Sequence, residues 1–273
     1  MSVRCNFHMH TTCSDGAFTP KEVVNMQKDA GLDVIAITDH DSVDGIDEAK
    51  DECEKVGMRL VPGIELSSFS TNEIHILGYN FDYKNPEFQK ELTEIRRRRK
   101  DRNVEIVEKL KNLGIFVDEK ELGLENDSIG RHHIAIQMKK QGYVQSVSEA
   151  FDKYLGVGKP AHSAGNRLKP FEAVRLIKKY GGVPVIAHPL KLYQDKKLIP
   201  LIEGLLPFGL KGLECHYGTH NETDTETFLK IAKKYGLIAT GGTDMHNADT
   251  YVSPSYRDDR YDAYTLRTLK IIK

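Results

Sequence analysis

Histidines and carboxylates recur along this chain in short groups whose spacing suits metal ligation. His8-Met9-His10 is followed by Asp15, and Thr38-Asp39-His40, Gly63-Ile64-Glu65 and His75 come next. Ala187-His188-Pro189 and Gly242-Thr243-Asp244-Met245-His246 complete the series. A His-x-His pair in extended backbone sends both imidazoles to one side, because side chains alternate along a strand. Asp244 and His246 share that spacing. Nitrogen and oxygen donors without thiolate suit Mn, Fe or Zn in open catalytic centres, whereas structural zinc more often recruits cysteine. One histidine at a strand end is ordinarily a hydrogen-bonded core residue. His8, His10, Asp15, His40, Glu65, His75, His188, Asp244 and His246 taken together point to a metal site.

The elements that must position these groups are legible as alternating strands and helices. Short runs rich in Val, Ile and Leu predict strands over 3–8, 33–38, 59–66, 74–79, 183–187, 210–215 and 237–240. Thr19-Pro20-Lys21-Glu22 is a capping box with Pro at the first helical position, and Gly31 closes that helix. Asp44 is placed to cap a helix ending near Gly57, and further helices are predicted over 170–181 and 222–236. This alternation implies an α/β fold with a mostly parallel sheet, doubly wound or closed into a barrel. In either form the strand C-termini converge on one face, where ligands gather. The series of histidines and carboxylates falls at those ends.

The alternation breaks between 82 and 165. Apolar residues at spacings of three and four predict one long helix over 88–113, with shorter helices around 130–141 and 146–155. The expected organisation is therefore a discontinuous barrel, 1–81 with 166–273, carrying an inserted helical cap at 82–165. Arg96-Arg97-Arg98-Arg99-Lys100 lies on the long helix among Glu91, Glu94, Asp101 and Glu105. Consecutive arginines point all round a helix and pair with acids at helical spacing, so a solvated face is expected there.

Composition excludes several classes. In 273 residues, 39 Lys+Arg face 40 Asp+Glu, a formal net charge of −1. That balance argues against a protein that coats nucleic acid through basicity. Ordinary hydrophobic and charged fractions exclude wholesale disorder. The sequence shows neither a long apolar span nor a signal peptide, and Cys5, Cys13, Cys53 and Cys215 have no CxxC spacing. A cytoplasmic protein with reduced thiols, no membrane association and no obligate protein partner is expected.

His8-x-His10 with Asp15, the TDHD of 38–41, the GIE of 63–65, His75, the AHP of 187–189 and the final TDxH together resemble the polymerase-and-histidinol-phosphatase (PHP) superfamily. The resemblance implies a distorted β/α barrel with a metal site at the strand C-termini, holding two to three Mn, Fe or Zn ions. Carried over residue by residue, it places His8, His10, Glu65 and Asp244 on one metal, and Asp15, His40 and His246 on a second. Glu65 (bridging), His75 and His188 would hold the third. Glu65, Asp244 and His246 are then catalytic as well. Such a positively charged pocket attracts phosphate and lowers the pKa of bound water, so a metal-bridging hydroxide attacking a phosphoester is the expected chemistry.

Within the insertion, Ser128 to Ala135 and Gly158-Lys159-Pro160 are similar to a capped subgroup that hydrolyses nucleotide phosphates or trims short RNA. Its usual GRPH reads Gly130-Arg131-His132-His133 here. The resemblance puts Arg131, His133 and Lys159 on the substrate phosphate. The expected substrate is a nucleotide phosphomonoester, with a nucleoside 3′,5′-bisphosphate as leading candidate. Cyclic nucleotides and the 5′ end of short single-stranded RNA are the diester alternatives. A non-catalytic PHP domain is a third reading, opposed by the complete ligand set. Amide hydrolysis is disfavoured because Arg131 and Lys159 suit phosphate better. His220 follows the sixth strand and is a candidate proton donor to the leaving oxygen, with His216 a candidate outer-shell partner. His162 and the tail 251–273 have no assigned role.

Overall fold

The computed structural model describes residues 3–123, 129–248 and 261–272. Seven strands form one sheet in chain order: β1 (Cys5–Asn6), β2 (Val34–Ile37), β3 (Arg59–Phe69), β4 (Glu73–Tyr79), β5 (Val183–Ile186), β6 (Gly212–Tyr217) and β7 (Ile238–Gly242). All neighbours pair in parallel except β3–β4 and β4–β5, which are antiparallel. The ends of the sheet meet: Phe7 N donates to Gly241 O at 3.1 Å, Asp244 N donates to His8 O at 2.8 Å, and Met9 bridges Met245 in parallel. The sheet is thus a nearly closed, distorted β/α barrel, and β4, running against its neighbours, is the distortion.

The helices in chain order are α1 (Pro20–Asp29), α2 (Ile46–Val56), α3 (Pro86–Asn112), α4 (Glu119–Leu122), α5 (Arg131–Lys140) and α6 (Val147–Ala150). They continue with α7 (Pro170–Lys179), α8 (Leu190–Gln194), α9 (Leu198–Leu205), α10 (Glu222–Tyr235) and α11 (Ala263–Thr268). The expected capping box at Thr19 and Glu22 is formed, and Gly31 leaves α1 at φ 77°. Asp44 does not cap α2. Gly45 occupies that position without a side-chain bond, because the Asp44 carboxylate is held by Arg96 at 2.7 Å.

Strand alternation sorts the core into layers. Phe7, Val34, Ala36, Val61, Leu77, Tyr79, Val185 and Ile238 form an inner cluster. Their sequence neighbours, such as Ile35, Ile37, Ile64, Ile76 and Leu213, pack outward against helices. Tyr261, Leu266, Leu269 and Ile271 join the inner cluster. Arg59 and Asn80 side chains hold the backbone carbonyls of Lys270, Ile271 and Leu269. This part of the tail therefore plugs the barrel end opposite the strand C-termini; 251–260 and Lys273 lie outside the described residues.

Helix α3 links two cores. Phe88, Leu92 and Ile95 pack into the barrel's outer layer, while Ile106, Val107 and Leu110 join a separate cluster with Ile134, Met138 and Leu155. Leu113, the last residue of the helix expected over 88–113, is the C-cap and is exposed.

Candidate metal centre and its arginine roof

Barrel closure itself places the first ligand-type groups. The Met9–Met245 bridge puts His8 and His10 in register with Asp244 and His246. Met9 and Met245 turn into the core under α1 and α2, so the flanking residues face the opposite way, toward one another. A second parallel bridge, His40 to Glu65, aligns the ends of β2 and β3. His75 comes from β4, and His188 follows β5 at φ 26°. Asp41 and Asp244 also have positive φ, at 52° and 53°. Backbone in this region is strained for a residue with a side chain, and such positions collect at functional sites.

Glu65 is the hub. Its Oε1 lies 3.0 Å from His75 Nδ1, 3.1 Å from His188 Nε2 and 3.4 Å from His8 Nε2. Its Oε2 lies 3.0 Å from His40 Nδ1 and 3.3 Å from His10 Nε2. Asp244 Oδ1 stands 2.9 Å from His10 Nε2 and 3.2 Å from His8 Nε2. Asp15 approaches His246 Nε2 at 3.4 Å and His10 Nδ1 at 3.6 Å. Three overlapping groups have donor atoms close enough to share an ion. One is His8, His10, Glu65 and Asp244, the set expected from sequence. The second adds His10 to Asp15, His40 and His246; the third joins His40 to Glu65 and His75, with His188 reaching the same Glu65 oxygen.

Burial and opposite charge compete within this site. Burial opposes ionisation of Asp15, Glu65 and Asp244, yet the surrounding imidazoles hold all three well below the usual carboxylate range. Burial also opposes a charge on His10, but Asp244 and Glu65 push its pKa up to about 10. His40, where burial prevails, falls to about 4. Nε2 of His8 and His10, Nδ1 of His40, Oε2 of Glu65 and Oδ1 of Asp244 are buried without a well-formed hydrogen bond. Buried polar atoms are almost always satisfied, and convergent orphan lone pairs are what a cation satisfies. The donor set fits divalent metal ions.

Several residues that support these groups escaped the sequence reading. Glu214, fully buried in β6, accepts from His8 Nδ1 at 2.9 Å and from the backbone N of His188 at 2.7 Å. A carboxylate only accepts, so as a metal ligand His8 would keep its proton on Nδ1 and present the Nε2 lone pair; without an ion, Glu214, Asp244 and Glu65 raise its pKa against burial. The signal was a lone Glu inside the apolar run 210–215. Tyr217 donates its hydroxyl to Asp244 Oδ2 at 2.7 Å. Asp39 is held by Thr11 and Ser14, which orders the loop carrying Asp15.

Above the cluster lies a cavity of about 260 Å³, lined by Asp15, His40, Glu65, His75, His188, Asp244 and His246 below and by Arg99, Arg102, Arg131 and His132 above. Arg131, expected on the substrate, is there, bonded to Glu73. His133 is not among the lining residues; its Nδ1 accepts from Gly130 N at 3.2 Å and caps α5. His132 takes the inward place, its ring 6.0 Å from that of His246. Lys159 is exposed and outside the lining. Ser128 of the same motif lies outside the described residues.

His220 also stands apart from the lining: Nδ1 donates to Cys215 O at 3.1 Å, and the ring packs on Tyr217 and Phe228. His216 packs edge-on against Tyr261. Arg97 and Arg98 pair with Glu94, and Arg97 with Asp101, as a solvated face should. Arg99 is the correction to that reading: it is buried, bonded to Asp41 at 2.9 Å and Ser67 at 3.0 Å, and lines the cavity.

The PHP domain profile matches residues 6–165. A 5′-3′ exoribonuclease of Haemophilus influenzae is 32% identical over 249 residues, covering 90% of this chain and 91% of its own length. A 3′,5′-nucleoside bisphosphate phosphatase of Chromobacterium violaceum is 32% identical over 246 residues, covering 88% of this chain and 86% of its own. Among solved structures, a protein of Bifidobacterium adolescentis described as a metal-dependent phosphoesterase superposes with a TM-score of 0.84 at 26% identity, over 97% of this chain and 94% of that one.

Proposed function

The chain belongs to the PHP domain family of metal-dependent phosphoesterases, and on that premise we propose that it hydrolyses a phosphomonoester of a nucleotide, with a nucleoside 3′,5′-bisphosphate as leading substrate. The observation that carries this reading is the pairing of a Glu65-centred ligand cluster with a roof of arginines across one small cavity. Arginine offers a planar fork to phosphate oxygens, whereas an amide substrate would leave those charges unused. We assign His8, His10, Asp15, His40, Glu65, His75, His188, Asp244 and His246 to two or three Mn, Fe or Zn ions. Bound there, the ions would supply Lewis acidity toward the phosphoryl group.

The chain's own part is to orient and to exclude water. Glu214 and Tyr217 fix His8 and Asp244. Arg131 and His132 close over the phosphate. In this reading His133 acts through α5, and Lys159 and His220 stay outside the reacting set. We also propose that 82–165 is an inserted cap, on the strength of its own apolar cluster and of the cavity it roofs. Among the described residues no helix is long and apolar enough to cross a membrane; a cytoplasmic location is part of the proposal. Two of the relatives are named for a bisphosphate and for RNA, so short single-stranded RNA is the second reading.

The test is hydrolysis with Mn²⁺ over mononucleotides, 3′,5′-bisphosphates, cyclic nucleotides and short oligonucleotides, read as inorganic phosphate from the monoesters and as mononucleotide formed from the diesters. Turnover of the bisphosphate above the others is the expected result. Preference for oligonucleotides would move the reading to the exonuclease, and no turnover across the panel would refute it.

A further inference from the structure

Glu73, the first residue of β4, is surrounded by guanidinium groups. Arg131 and Arg167 each bond a different oxygen of its carboxylate, and Arg102 Nη1 stands 3.9 Å from one of them. Arg99, beside them, is taken up by Asp41. Four guanidiniums thus share two carboxylates in a largely buried space. Arg102 and Arg167 side chains are 2% and 4% exposed, yet Arg102 Nε and Arg167 Nη2 have no hydrogen-bond partner. His162 Nε2, near the same group, is buried and unpartnered too. Burial together with the nearby arginines keeps that imidazole neutral, able to offer an N–H.

A carboxylate placed only to neutralise an arginine would be matched roughly one to one, since uncompensated buried charge is costly. Here positive charge and donors are left over. The guanidinium planes are also held: Arg167 lies over the Phe69 ring at 4.8 Å, and Arg131 over Phe151 at 5.3 Å. A phosphoryl group has more charge and more acceptor oxygens than a carboxylate, and it suits such forks.

We propose that Arg102, Arg167 and His162, with Arg131 on the border between them and the reacting phosphate, form a second anion subsite for a second phosphoryl group of the substrate, and that Glu73 is its stand-in when none is bound. The subsite adjoins the ligand cluster: Glu73 Oε1 is 3.7 Å from His75 Nε2, on the far side of the ring from the Glu65 contact. One substrate can therefore span both. Glu73 sits where the β3–β4 hairpin turns, at the start of its strand, and can leave without breaking the sheet interior. This inference rests on the phosphoesterase reading and specifies what the substrate carries. The second group is either the other monoester of a nucleoside bisphosphate or the next internucleotide phosphate of short RNA.

The Mn²⁺-loaded full chain, with Arg102→Met, Arg167→Lys and Glu73→Gln, is assayed on 5′-AMP, adenosine 3′,5′-bisphosphate and the dinucleotide pApA. Arg102→Met should lose about tenfold more kcat/KM on a two-phosphate substrate than on 5′-AMP, mostly through KM. Whichever of the bisphosphate and pApA shows the larger difference identifies the source of the second phosphate. Equal losses on all three substrates would overturn the subsite. If Arg102→Met does not fold, Arg167→Lys, which keeps the charge but loses the fork, carries the same comparison. Calorimetric titration with inorganic phosphate reads the subsite without turnover. Glu73→Gln should bind phosphate about tenfold more tightly than wild type, and unchanged affinity would refute the stand-in. Tighter phosphate binding by Glu73→Gln, with a wild type that turns over none of the three substrates, would sink the phosphoesterase reading and leave the subsite in place.

Discussion

At the scale of single residues, Asp244 combines a bridging position with a strained backbone. It meets both His8 and His10, and Tyr217 holds its other oxygen. Even outer partners of metal ligands are worth roughly 10–100-fold. Asp244→Asn should therefore cost more than about 100-fold in turnover and lower metal content, with the circular dichroism spectrum retained. An Asn variant with full metal and full rate would remove Asp244 from the site. The metal-free protein gives a second test. His10, raised from 6.5 to about 10, stabilises the fold fully below about pH 6.5 and loses that contribution as pH rises toward 10. Asp15, Glu65 and Asp244, lowered, contribute above the carboxylate range and lose it as pH falls. Thermal melts after chelation should thus show Tm declining between about pH 7 and 10, and metal loading should abolish the decline. A flat alkaline profile in the chelated protein would contradict the charge assignment. Residues of this kind were readable because histidine and carboxylate at strand ends are conspicuous. Glu214 and Arg99 were not, since a single charge in an apolar strand or in an arginine run looks ordinary until its partner from a distant element is known.

At the scale of elements, the site depends on how tightly β7 crosses β1. A Cβ at Gly242 would meet His8 Cβ at 2.2 Å and His8 N at 2.5 Å, in the segment after β1 that carries two ligands. Overpacking of this kind costs about 1–3 kcal/mol. Gly242→Ala should lower Tm measurably and reduce bound metal by displacing His8, and an alanine variant with unchanged metal content would show that this approach is not what sets the ligand. The strands and long helices were legible because their periods of 2 and 3.6 leave a clear pattern, and the capping box at Thr19 fixed a boundary. What periodicity could not supply was competition between elements. Asp44 looked like a cap until Arg96 from α3 claimed it. His133 looked like a substrate ligand, yet its position in the first turn of α5 commits it to Gly130 and turns His132 inward. The tail had no readable period, and its described part earns its place through long-range packing under the barrel.

At the scale of the whole molecule, a chain with a formal net charge of −1 concentrates cationic groups where barrel and helical segment face each other. The overall balance excluded a basic coat but said nothing of this local asymmetry, which arises only when residues 8 to 246 are folded onto one rim. In the proposed function, bound metal supplies the remaining positive charge. The most direct test of this is elemental analysis and phosphate release on the same purified preparation, before and after chelation. Two to three equivalents of Mn, Fe or Zn are predicted, with turnover lost on their removal and restored when Mn²⁺ is returned. A metal-free preparation that hydrolyses its nucleotide substrate at the full rate would contradict it.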